Sequence, residues 1–200
     1  KNWQFTFYKT GKVLVQGKDI DYIVKKYLDN NFECELKPQT EGDIAPFPHI
    51  GVDESGKGDF FGPLIIAGCY LDEKQANFLK EKGIKDSKKL DDKKILTLAE
   101  IIKENSIFDI VAIGNKKYNE LYSKFKNLNS LLAWGHSTVI ENLLNKTNAK
   151  IAISDKFADE RVILNALKQK GKTIQVIQQT KAEADCAVAS ASILARCEFV

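Results

Sequence analysis

The stretch Gly51-Val52-Asp53-Glu54-Ser55-Gly56-Lys57-Gly58-Asp59 sets three carboxylates, three glycines and a lysine into nine residues, and an apolar run from Phe60 to Tyr70 follows at once. Charge this dense beside a strand-like segment is costly near a core. Asp53 and Glu54 repel one another, and burial of either without a partner raises its pKa or costs stability. A divalent cation relieves that repulsion. The stretch therefore reads as a metal-dependent site at the end of a β-strand, beside a glycine loop able to approach a phosphate.

Outward from it, Ile50–Glu54 and Leu64–Leu71 read as strands joined by the glycine loop. Helices are expected at 73–82 and 92–104, a strand at Phe108–Ile113, a long helix from Asn129 to Leu144, and a strand at Ala149–Asp155. A helix at 159–170, a strand at Thr173–Ile177 and one alanine-rich buried helix from Ala182 to Arg196 complete the pattern. Strands first paired by a tight loop, then alternating with helices, predict an α/β fold with a mixed sheet flanked by helices. Upstream, residues 3–8 alternate bulky and polar side chains, Thr10-Gly11-Lys12 makes a turn, and Val13–Val15 is a second strand. Asp19 can cap a helix carrying Ile20, Ile23, Val24, Tyr27 and Leu28 on one face. Three of the four prolines fall between Lys37 and Pro48. The expected organisation is a β-β-α segment over 1–36, a linker over 37–47 and a catalytic domain over 48–200.

With 44% hydrophobic and 28% charged residues and a net charge of +3, the chain reads as a globular protein without an overwhelming basic field. Local lysine clusters, such as Lys85-Lys88-Lys89 and Lys168-Lys170-Lys172, are weighed singly. Cys34, Cys69, Cys186 and Cys197 have no metal-ligand or paired spacing, and Cys69 and Cys186 lie in apolar company, as in a reduced cytoplasmic protein. No run is long or apolar enough to span a membrane, and no signal peptide is visible. The chain starts on Lys1, contains no methionine, and ends on Glu198-Phe199-Val200 inside a helical pattern, so residues are expected beyond both ends.

Two further acids join the first pair. Asp155 closes the strand Ile151-Ala152-Ile153-Ser154-Asp155, and Asp185 sits among Ala184, Cys186, Ala187 and Val188. A lone acid among alanines needs a cation, an arginine or a helix N-terminus. Each acid also has a plainer reading: a charged turn for Asp53-Glu54, a helix cap for Asp155, and a helix N-terminal acid for Asp185. Together, Asp53, Glu54, Asp155 and Asp185 suit two Mg²⁺ or Mn²⁺ ions, since hard cations prefer oxygen. Zinc is not expected, because no Cys/His cluster is present. His49 and His136 read as structural. Gly51-(four residues)-Gly56-Lys57 imitates a phosphate-binding loop. It lacks the following Ser or Thr, an apolar strand follows where a helix is needed, and two acids in the cradle would repel phosphate.

Asp53-Glu54-Ser55-Gly56-Lys57-Gly58-Asp59-Phe60-Phe61-Gly62-Pro63 resembles the first motif of the type 2 ribonucleases H, most of all their HIII branch. Asp86-Ser87-Lys88-Lys89-Leu90 is similar to their D-S-K-x-L element, and Tyr118–Tyr122 with Asn127–Asn129 and Leu131–His136 resembles the HIII branch in particular. Ser154–Ala158 and Lys181–Arg196 resemble the last two motifs, so the likeness covers about residues 48–200, while residues 1–36 resemble part of a TATA-binding-protein-like domain. The resemblance implies a ribonuclease H-like fold and endonucleolytic cleavage of the RNA strand of RNA–DNA hybrids. It puts Asp53, Glu54, Asp155 and Asp185 in the catalytic and metal-binding positions, Gly56, Lys57 and Gly58 against the RNA strand, and Ser87, Lys88 and Lys89 on backbone phosphates. A monomer with an RNA–DNA hybrid as partner is expected. The alternatives are incision at single ribonucleotides in DNA, as by the HII branch, a non-catalytic nucleic-acid-binding module, and phosphotransfer from ATP.

Overall fold

The computed structural model describes residues 4–7, 13–16, 43–59, 61–84, 90–157, 160–167 and 173–200. The chain divides into two compact units, Lys1–Gln39 and Thr40–Val200. In the first, β1 (Gln4–Phe7) and β2 (Val13–Gln16) pair antiparallel, with Gln4 opposite Gln16 and Phe7 opposite Val13. This is the expected hairpin; the helix expected after Asp19, on which the TATA-binding-protein likeness also depends, lies outside the described residues.

The second unit runs β3 (His49–Ser55), β4 (Leu64–Leu71), α1 (Glu73–Glu81), α2 (Asp92–Asn105), β5 (Ile107–Ile113), α3 (Asn115–Phe125) and α4 (Leu128–Leu144). It continues with β6 (Ile151–Asp155), α5 (Glu160–Ala166), β7 (Gln175–Gln179), a 3-10 turn at Ala182–Ala184 and α6 (Cys186–Phe199). The sheet order is β5-β4-β3-β6-β7. β4 runs antiparallel to both of its neighbours, β5 and β3, whereas β3, β6 and β7 are parallel. β4 shows why the sheet is covered on both faces. Leu64 and Ile66 pack with Leu131, Leu132, Val139 and Ile140 of α4, while Ile65, Ala67 and Cys69 pack with α2 and α6. Alternate side chains leave a strand on opposite faces, so a continuous apolar run needs a helix on each side. Each fully buried Leu or Ile there contributes about 2 kcal/mol. Among the described residues, no helix is long and apolar enough to cross a membrane.

The structure departs from the expected elements in three places. α3 was not foreseen: its four lysine and glutamate side chains and single buried residue, Leu121, give a weak apolar stripe. α4 is capped by Asn127 rather than opened by Asn129; the Asn127 carboxamide oxygen accepts from the Asn129 and Ser130 amides at 2.8 and 3.4 Å. The alanine-rich segment is not one helix. It breaks at Asp185, whose backbone is extended (φ -75, ψ 134) and whose side chain caps α6. A side-chain acceptor that satisfies the first free amides offsets the lost helical turn.

α6 lies directly on β3. A Cβ on Gly51 would stand 2.2 Å from the Ala187 carbonyl carbon and 2.2 Å from the Val188 nitrogen. Only a residue without a side chain permits that approach. Residues 43–47, expected as linker, are also fastened to this unit. Asp43 accepts from the Cys186 amide at 3.2 Å and pairs with Lys80, and Phe47 stacks on His49 at 4.2 Å. Gly51→Ala is expected to lower the unfolding free energy by about 3 kcal/mol or more, read from denaturant titration, because backbone rather than a flexible side chain must move.

Candidate active site

β3 and β6 pair in parallel with Ile50 opposite Ala152, Gly51 opposite Ile153 and Val52 opposite Ser154. One further step of the same register sets Asp53 level with Asp155, on neighbouring strands about 4.8 Å apart. Parallel partners point to the same face. For Asp53 and Asp155 that is the face of Gly51, against α6. Asp53 receives hydrogen bonds from the Ser192 hydroxyl and the Glu54 amide, the latter at 2.9 Å. Asp155 Oδ1 accepts from the Ala182 amide at 3.3 Å. Burial, then the neighbouring Glu54 charge, pushes the Asp53 carboxyl up to about 7. An acid this reluctant to ionise, level with a second carboxylate, is matched by a cation.

Glu54 points to the opposite face. Its Oε2 meets His136 Nε2 at 3.0 Å, and Lys57 Nζ donates to its Oε1 at 3.0 Å. Burial alone would raise Glu54, but the His136 hydrogen bond and charge, with Lys57, outweigh it and hold the carboxyl at about 2. His136 is fully buried, and its Nδ1 faces the Ser154 hydroxyl at 3.1 Å. Ser154 donates onward to the Asp155 carbonyl at 3.0 Å. His136 thus ties the β3 acid to the β6 strand end. The histidine expected to be merely structural lies in the site.

Asp185 is placed differently from its expected role. It is fully buried, and Oδ1 accepts from the Ala187 and Val188 amides at 2.9 and 3.2 Å and meets His49 Nε2 at 3.1 Å. Oδ2 accepts from the Ile44 amide at 3.1 Å. These partners lie at the level of His49 and Gly51, two to four residues before Asp53, or roughly 7–13 Å along the strand. Asp185 is the helix N-terminal acid of the plainer reading, and it is not grouped with Asp53 and Asp155. Glu183, half-buried on the 3-10 turn, follows the residue whose amide touches Asp155. The signal that could have found it is the short Lys181-Ala182-Glu183 approach to the cap, two residues ahead of the acid chosen from sequence.

Gly56 is half-buried, while Lys57 and Gly58 are exposed, on the loop joining β3 to β4. Ser87, Lys88 and Lys89 lie outside the described residues. Among the described residues no three His, Cys, Asp or Glu side chains converge on one point. The donor chemistry nevertheless fits a hard divalent cation: two level carboxylates, one held reluctant to ionise, with Glu54 at the same strand end and Glu183 on the adjoining 3-10 turn. Cys69 and Cys186 are buried, and burial pushes both thiols up to about 12, so neither offers a soft ligand.

A five-stranded mixed sheet with acids at the ends of its central parallel pair is the architecture of a ribonuclease H-like α/β protein. The match to the ribonuclease HII family covers residues 50–200, and the chain belongs to that family. It is 49% identical over 198 residues to ribonuclease HIII of Protochlamydia amoebophila, covering 98% of this chain and 65% of that protein. It is 47% identical over 199 residues to ribonuclease HIII of Chlamydia felis, covering 98% of this chain and 66% of that protein. The chain therefore spans just under two thirds of the length of these relatives. Bst-RNase HIII in complex with Mn²⁺ superposes with a TM-score of 0.74 at 28% identity, covering all of this chain and 68% of that one.

Two outcomes follow from these contacts. A folded-state pKa raised at Asp53 stabilises below the ordinary carboxylate range and loses that contribution as pH rises through about 7. Unfolding free energy measured in EDTA should therefore fall between about pH 4 and pH 7 and level off above, and millimolar Mg²⁺ should offset the loss more at the higher pH. Asp185→Ala should cost about 3 kcal/mol, combining a lost cap with orphaned buried donors. The extra stability conferred by Mg²⁺ should persist in that variant and be lost in Glu183→Gln, as read by thermal melts.

Proposed function

We propose that this chain carries the catalytic part of an endonuclease that cleaves the RNA strand of RNA–DNA hybrids, leaving 5′-phosphate and 3′-hydroxyl ends. The observation that carries the reading is the β3–β6 register, which levels Asp53 with Asp155 at one end of the sheet. Membership of the ribonuclease HII family and likeness to proteins named ribonuclease HIII support it. The Mn²⁺ complex of Bst-RNase HIII supports dependence on divalent ions, Mg²⁺ or Mn²⁺.

Asp53 and Asp155 would hold the ions, with Glu54 and Glu183 completing their shells. Bound there, such ions supply Lewis acidity that lowers the pKa of a water and offsets charge on a leaving oxygen. The protein's own groups set the geometry. Ser192 orients Asp53, and His136, itself held by Ser154, limits where Glu54 can swing. The Gly56 and Gly58 backbone, free of Cβ, approaches the RNA strand closely enough to sense 2′-hydroxyls. Lys57, Lys88 and Lys89 neutralise backbone phosphates and the Ser87 hydroxyl donates to one, without reading sequence. Asp185 is assigned to holding α6 in place. The N-terminal hairpin belongs to a segment that grips the hybrid, and the protein acts as a cytoplasmic monomer.

A labelled hybrid incubated with the protein and Mg²⁺ or Mn²⁺ should be cut within the RNA strand, and a duplex with one embedded ribonucleotide should be cut poorly. Asp155→Asn should lower the rate by at least about a hundredfold, as for loss of a first metal ligand, with hybrid binding retained. Equal behaviour of wild type and variant would replace the enzyme by a binding module.

A further inference from the structure

Resting on that reading, we propose that Phe61 is a binding contact for the hybrid, its ring packing on the sugar of a nucleotide along the groove, beside the catalytic acids. Phe61 is 79% exposed, the largest exposure of any large apolar side chain among the described residues. A singly exposed apolar residue needs no explanation by itself. Its mounting and location supply one.

The loop from Gly56 to Pro63 is fastened from beneath. Gly56 and Gly62 both adopt positive φ, +86 and +101, and both press on the Phe199 ring in the last turn of α6. A Cβ at Gly62 would stand 3.0 and 3.1 Å from two ring carbons of Phe199, and one at Gly56 would stand 2.8 Å from the same ring and 2.2 Å from the Pro63 carbonyl oxygen. The Asp59 amide closes the turn onto the Gly56 carbonyl at 3.3 Å. Phe199 is covered in turn by Arg196, 5.4 Å from its centroid, which pairs with Asp92 at 3.2 Å. The loop therefore covers part of Phe199 and carries Phe61 exposed on a closely packed frame, so little backbone entropy is lost when a ligand meets the ring.

The loop also leaves the sheet at the catalytic end. The last β3–β4 pair is Ser55 with Ile65, so Gly56–Pro63 extends from the strand end that carries Asp53 and Glu54, the end where Asp155 closes β6. A phenyl ring offers phosphate nothing, and in a paired hybrid the base faces are stacked and closed, so the surface it matches is the apolar C–H face of a ribose exposed along the groove. Sugar contact of this kind tolerates any sequence, as a nuclease acting along a hybrid requires.

The test uses equilibrium binding of a labelled RNA–DNA hybrid, with Mg²⁺, in an Asp155→Asn background where cleavage is silent, together with KM from cleavage by otherwise wild-type protein. Phe61→Ala should weaken binding and raise KM by about 3- to 30-fold, the scale of part of a phenyl ring's apolar area taken out of water. Phe61→Trp should stay within about threefold of the parent. The slope of log K against log salt should not change in Phe61→Ala, since an uncharged ring releases no counterions, whereas Lys57→Ala should flatten it. Melting temperature should be unmoved, because the side chain is exposed. Unchanged binding and KM in Phe61→Ala would overturn the inference, as would equal losses in the Ala and Trp variants. Loss of a concentration-dependent dimer in sedimentation, with hybrid binding intact, would assign the ring to a second copy of this chain. If the wild-type chain neither binds nor cuts the hybrid, the functional reading itself fails, an outcome distinct from a silent Phe61 in an active protein.

Discussion

The parallel pairing of β3 with β6 is the constraint from which the site derives. Asp53 and Asp155 are far apart in the chain, and nothing local brings them together. The register that matches Val52 to Ser154 does so, and a slip of one residue would turn one acid to the opposite face. Two features hold that register. Val52 and Ala152 are buried in the core beneath α4, and Gly51 lets the α6 backbone approach on the other side. The pair of acids is thus specified by packing several residues away from it, and the chemistry inherits its precision from the core.

The two sheet faces then divide the labour. On the α6 face, the donors that reach Asp53 and Asp155 among the described residues are neutral: a hydroxyl and backbone amides. Those donors do not outweigh burial, which is why Asp53 rises to about 7. On the α4 face, Glu54 sits between His136 and Lys57, and its carboxyl falls to about 2. Adjacent residues on one strand end with opposite shifts because the pleat sends them to opposite environments. The neutral side has a deficit of positive charge, and that deficit is what recommends it for a divalent ion.

Much of this was legible before any coordinates. The alternation of strand and helix, the hairpin of β3 and β4, and Asp155 at a strand end all follow from period and punctuation. Residues 53–54 and 155 could be grouped because strand-terminal acids in one α/β domain tend to share an edge. Asp185 could not be placed this way. Ala184-Asp185-Cys186-Ala187 reads as helix interior, where a buried acid demands a cation, and only the extended backbone at Asp185 converts it into a cap with its own donors. The partners that satisfy it, His49 and the Ile44 amide, come from about 140 positions away and carry no periodic signal. His136 was hidden for the same reason: on an apolar helix face it looks like filler until Glu54 and Ser154 arrive from two strands.

The cap also explains why Asp185 stays with α6. In a fully buried pocket it accepts from three backbone amides and meets His49, so freeing it for a metal would leave the Ala187, Val188 and Ile44 amides without acceptors, at a cost of about 1–3 kcal/mol each. Glu183 sits on a single 3-10 turn, entered through Lys181 with φ 60 and left through the extended backbone of Asp185. The Ala182 amide at the start of that turn meets Asp155 at 3.3 Å, and the side chain that caps α6 stands at its end. One short segment thus both anchors the helix that positions Ser192 and carries the Glu183 carboxylate one residue from the contact with Asp155.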